Sequence, residues 1–200
     1  MTRFIVIEVD LIERVIKKCR NHRRMLEKIR RVMEWTKKDS VKVISIIPEE
    51  PIKKIRYTPR NKRISFSADE NTSLPIGTIR NRSQVIFERR SLDPLDEPKI
   101  ERFFSRDTVH KIFTSTFMLE FIIIGAGKSV ELMALGLLHR GYNVTILEDA
   151  VRYPGMTKKE LDLDLRKIAA KGGRIETCSN LLGATHLWKV SVCKCKKRQS

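Results

Sequence analysis

Cysteine and aromatic residues are in short supply here. The cysteines are Cys19, Cys178, Cys193 and Cys195, four in 200 residues. They are too few and too uneven for a disulfide scaffold, and that usage fits a reducing compartment. Aromatic residues make up 6%, too little to interleave basic groups with stacking platforms for bases. No apolar run reaches the ~18–20 residues that cross a bilayer. The longest is centred on Phe121 to Ile124 and is strand-sized. Acids follow the first apolar run at once, at Glu8 and Asp10. That pattern is not a secretory signal, so a cytoplasmic location and no membrane partner are expected.

Positive charge, in contrast, is plentiful. Lysine plus arginine is 41 against 24 acids, a formal net charge of +17. Such a balance favours non-specific contact with polyanions through a basic surface, nucleic acid among them. The alternative is a solvated face that binds nothing in particular. Hydrophobic residues at 41% are enough for a core, and the length suits one ordinary domain.

Strand and helix patterns alternate along the chain. Phe4 to Val9 and Val41 to Ile47 read as buried strands. Ile12, Ile16, Cys19, Leu26, Ile29 and Met33 recur at helical spacing, which predicts one long amphipathic helix over 12–35. Its basic face carries Arg14, Lys17, Arg20, Arg23, Arg24, Lys28, Arg30 and Arg31. Residues 48–83 hold four prolines and no clear period, an irregular insertion. Val85 to Glu88 reads as a short strand. A helix from about Lys99 follows, its apolar side and that of the next segment drawn from Phe103, Phe104, Val109, Ile112 and Phe113.

Glu120 to Ile124, Asn143 to Leu147 and Arg174 to Thr177 complete the strands. Helices are expected over 129–139 and 157–171, the second capped by Thr157 with Glu160 three residues on. This order predicts an α/β fold: a doubly wound, mostly parallel six-stranded sheet with helices on both faces. One domain over 1–188 and a loose basic tail over 189–200 follow.

Gly125-Ala126-Gly127 sits between a strand and a helix, and Glu148 ends the next strand about 20 residues on. That is the layout of a dinucleotide fingerprint, which makes an FAD- or NAD-binding protein one alternative. Two features weigh against it. Val130 stands where the third glycine allows close helix packing, and three candidate strands precede the motif. A strand-turn-helix unit also needs a glycine for its turn alone.

A wider match is carried by Arg140-Gly141-Tyr142-Asn143-Val144-Thr145-Ile146-Leu147-Glu148-Asp149-Ala150-Val151. The helix and strand after it, the opening strand over 4–10 and the segment 85–104 extend the match to nearly the whole chain. In these stretches the sequence resembles the isochorismatase-like (cysteine hydrolase) superfamily. The resemblance implies a hydrolase acting on small amides, imides or enol ethers, with a small-molecule substrate and a tendency to self-associate as a homo-oligomer.

It also implies an aspartate base, a lysine and a nucleophilic cysteine. Here Glu8 falls at the aspartate position, with Asp10 two residues on and on the same strand face. Arg89, or Arg90, falls at the lysine position. Ser129 falls at the cysteine position, followed by the expected Val130. Serine without a strong base is a far poorer nucleophile than a thiolate, and arginine does not replace lysine freely. A catalytically degenerate or repurposed relative is therefore expected, with Glu8, Arg89 and Ser129 converging at the carboxyl ends of the strands. Some relatives of the nicotinamidase type hold a metal on histidines after the second strand. Residues 48–83 contain none, so no metal and no cofactor is expected there. His186, Cys193 and Cys195 form only a weak zinc-like grouping.

Overall fold

The computed structural model describes residues 2–49, 84–113 and 118–183. The insertion expected over 48–83, beyond its first two residues, lies outside them. So do Trp188, His186, Cys193, Cys195 and the basic tail.

Six strands form one sheet: β1 (Thr2–Val9), β2 (Lys42–Pro48), β3 (Gln84–Arg89), β4 (Met118–Ala126), β5 (Asn143–Arg152) and β6 (Arg174–Glu176). Their order is β3-β2-β1-β4-β5-β6, and every neighbouring pair is parallel. The expected "mostly parallel" sheet is thus wholly parallel. The chain builds outward from β1 to β3, returns to the centre at β4, and builds outward again. The carboxyl ends of β1 and β4 therefore flank the switch point, where doubly wound sheets open a crevice.

Sheets of this kind are covered on both faces, so their central strands are apolar on both parities. In β1, Ile5, Ile7 and Val9 face one core, while Val6 faces the other. The first core is closed by α3 (Pro98–Phe103), α4 (Arg106–Phe113), α5 (Ser129–His139) and α6 (Lys158–Ala170). The second is closed by α1 (Glu13–Ile16), α2 (His22–Lys38) and a short helix, α7, over 178–183. Cys19 and Cys178 are both buried as free thiols in this second core. The sequence pattern gave no sign of α7.

The helix expected over 12–35 is in fact two. Backbone bonds from Lys18 N–H to Val15 O and from Cys19 N–H to Ile16 O tighten the end of α1 to i→i−3 spacing. Asn21 then takes a left-handed conformation, φ +58°, which asparagine adopts at less cost than most residues. Between Cys19 and Met25 no apolar residue occurs to hold a continuous face against the sheet. Ile112, expected on an apolar side, is half exposed, at 50%. The Thr157 cap forms as expected: its hydroxyl accepts from the Glu160 N–H, and Glu160 returns a bond to the Thr157 N–H.

Candidate functional site

Arg89 is the last residue of β3, and Asp10 follows directly on β1. Strand β2 lies between them, a separation of roughly 10 Å at ~4.8 Å per strand. Two features close the gap. Asp10 turns out of the strand with φ +54°, and its N–H donates to Ile46 O at 2.8 Å, which draws it over β2. The Arg89 side chain then reaches it. Nε donates to Oδ1 at 3.1 Å, and Nη2 pairs with Oδ2. Both residues are buried. Nη1 of Arg89 donates to the Ser91 carbonyl, which holds the guanidinium plane.

A left-handed aspartate is uncommon, and such backbone strain concentrates at functional sites. The other side of Asp10 meets the β4–α5 turn. A Cβ added to Gly127 would lie 3.8 Å from its Oδ2. The carboxylate thus stands at the switch point, between a guanidinium from the outer strand and the approach to α5.

Glu8, which the resemblance set at the acid position, bonds across to β2. It is opposite Ser45 in the β1–β2 register and accepts the Ser45 hydroxyl at 2.5 Å. It stays within β1 on the parity of Val6, whereas Asp10 leaves the strand. Asp10 is joined to Arg89, and Glu8 to Ser45. Arg90, the other choice for the basic position, is an exposed side chain paired with Glu49. Of the two arginines, Arg89 is the one turned into the protein.

Ser129 opens α5, directly after the turn. It is almost wholly buried, at 1% exposure, and its Oγ has no hydrogen-bond partner among the described residues. A buried hydroxyl with no partner is costly, and here it stands at a helix N-terminus, where negative charge is favoured.

The residue before it, Lys128, is tied to the body of the protein. Its ammonium pairs with Glu131 and, at 2.7 Å, with Asp164 of α6. Lys167 joins both carboxylates, at 2.9 Å to Asp164 and 3.5 Å to Glu131. Burial pushes the Asp164 carboxyl up, but the two ammoniums outweigh it and hold it below its ordinary value. Close by, Tyr153 is buried beside Glu131 and Asp164. Burial first, then the Asp164 and Glu131 charges, push that phenol well up.

Gly125 has a packing role of its own. A Cβ there would lie 2.2 Å from Val9 O, so β4 approaches β1 as closely as only glycine permits. Val130, at the place of a third fingerprint glycine, is fully buried in the first core. This close approach accounts for the glycine without a bound dinucleotide. Among the described residues no group of acids, histidines and cysteines is placed to hold a metal, and no helix is long and apolar enough to cross a membrane.

No family model matches the chain, and no curated protein does. Solved structures do match. An isochorismatase-like hydrolase from Alkaliphilus metalliredigens superposes with a TM-score of 0.64 at 11% identity, covering 92% of this chain and 98% of that one. N-carbamoylsarcosine amidase from Thermoplasma acidophilum gives 0.60 at 13%, covering 88% and 96%. The MAR1 ribonuclease from Caenorhabditis elegans gives 0.62 at 15%, covering 88% and 78%. At these identities the likeness is one of fold, and that fold is the isochorismatase-like α/β fold expected from the sequence.

Proposed function

We propose that this protein is a repurposed relative of the isochorismatase-type hydrolases. Its site at the ends of β1, β3 and β4 takes a small molecule such as an amide, imide or enol ether. Arg89 provides a fixed positive charge beside the ligand, and Asp10 orients that arginine. The hydroxyl of Ser129, at the head of α5, is the group that would meet the carbonyl carbon.

The observation that carries this reading is the state of Ser129. Its Oγ is buried and touches no base among the described residues, while Asp10 is occupied by Arg89. Attack by serine requires a neighbour that accepts its proton. Arginine is never that neighbour, since it keeps its proton at any ordinary pH. Binding with slow or no turnover is what this geometry supports. Glu8 keeps a secondary role, holding β1 to β2 through Ser45 beneath the site.

The test is to restore the missing chemistry. Ser129→Cys puts a thiol at the head of a helix, which lowers thiol pKa. It should raise hydrolysis of small amides or imides at least about tenfold over the unmodified chain. Ser129→Ala should abolish whatever hydrolysis the unmodified chain shows. Turnover unchanged by both substitutions removes Ser129 from the site and the reading with it.

A further inference from the structure

The outer face of α2 follows a seven-residue period: Arg23-Arg24, Glu27, Arg30-Arg31, Glu34, Lys37-Lys38. Seven residues return to nearly the same side of a helix, with a drift of ~20°. Arg23, Arg30 and Lys37 therefore form one row and Arg24, Arg31 and Lys38 a second, with the two glutamates between them. All eight are exposed. The opposite side, with Met25, Ile29, Val32 and Met33, is buried on the sheet.

Six cations to two acids is more than ion pairing along the helix uses. Among the described residues none of the eight takes part in an ion pair, whereas the flanking Lys28 reaches Asp149 at 3.5 Å. The face thus keeps a surplus of four positive charges, which attracts a polyanion laid along it.

From this we infer that the outer face of α2 is a contact surface for the phosphate backbone of a nucleic-acid strand, bound without regard to base sequence. The rows run ~21 Å along the 17-residue helix, long enough for several consecutive phosphates. No aromatic side chain lies on the face, so no stacking platform reads the bases. No apolar side chain lies among the eight either, and an interfacial helix needs an apolar side to enter a bilayer. A strand of phosphates therefore fits better than a lipid surface. The inference is independent of the site at the strand ends, because α2 covers the sheet face opposite α5.

The test uses the full chain and a fluorescein-labelled 20-mer of oligouridine, followed by anisotropy between 50 and 200 mM salt. Each phosphate neutralised on a single strand contributes about −0.7 to the slope of log affinity against log salt. The triple variant Arg24→Gln, Arg31→Gln, Lys38→Gln should make the slope shallower by about 2 units and weaken binding at low salt by at least about tenfold. A control triple, Lys158→Gln, Lys159→Gln, Arg166→Gln, removes the same charge from exposed positions of α6 on the other sheet face. It should change affinity by no more than about twofold. Equal losses in both triples would reduce the effect to net charge and overturn the inference. So would an α2 triple that binds like the parent, or a parent that binds anionic phosphatidylserine vesicles but not the oligomer.

Discussion

Two buried ionic arrangements border the sheet's carboxyl edge, built on opposite plans. Arg89 and Asp10 form a single pair with both side chains almost out of solvent, at 9% and 6% exposure. On the far side, Glu131 and Asp164 are as buried, at 4% each, but share two ammoniums, one of them 60% exposed. In the first arrangement each charge has one counter-charge. In the second, each carboxylate has two, and the cations keep contact with water. The lone pair takes both of its charges out of water, whereas the shared cluster ties the start of α5 to α6.

Breaking the lone pair should cost most. Arg89→Met leaves Asp10 buried without a counter-charge, and losses of about 3–5 kcal/mol are typical of such a change. Urea unfolding should show it, and the double variant Arg89→Met, Asp10→Asn should recover part of the loss. A double variant no more stable than the single one would mean that Asp10 is not the partner that matters.

Lys128→Met should cost less, about 1–2 kcal/mol, because Lys167 still faces both acids. A loss as large as that of Arg89→Met would erase the contrast between the two plans.

The smallest effect should be one of pH. A carboxyl held below its ordinary value in the folded state adds stability that is fully present above its unfolded pKa, near 4. That stability is lost as pH falls through the lower, folded value. Asp164 is such a group. In Asp164→Asn the decline of stability below about pH 4 should be shallower than in the parent. Parallel curves would show that the cluster does not hold that proton off.

The sheet was readable in the sequence because burial on both faces leaves continuous apolar strands, as in Ile5-Val6-Ile7 and Phe121 to Ile124, and because glycines and caps punctuate the helices. The strand ends that carry Asp10, Arg89 and the β4–α5 turn were readable for the same reason. The pairing within it was not. Asp10 reaches Arg89 only because its backbone takes a left-handed turn, and an aspartate gives no local sign of that. Glu8 finds Ser45 through a strand register set 37 residues away, a contact beyond any local pattern. The break at Asn21 was hidden because Ile16 and Cys19 still fit a helical period, although the bonds that end α1 are already too tight to continue it.

The two sulfhydryls beneath α1, α2 and α7 turn that layer into a clock. Burial raises both above the usual thiol range, and Asp149 beside Cys178 adds to the effect there. Burial disfavours the thiolate of each while the layer is shut. Modification at these two positions is therefore paced by how often the helices lift from the strands.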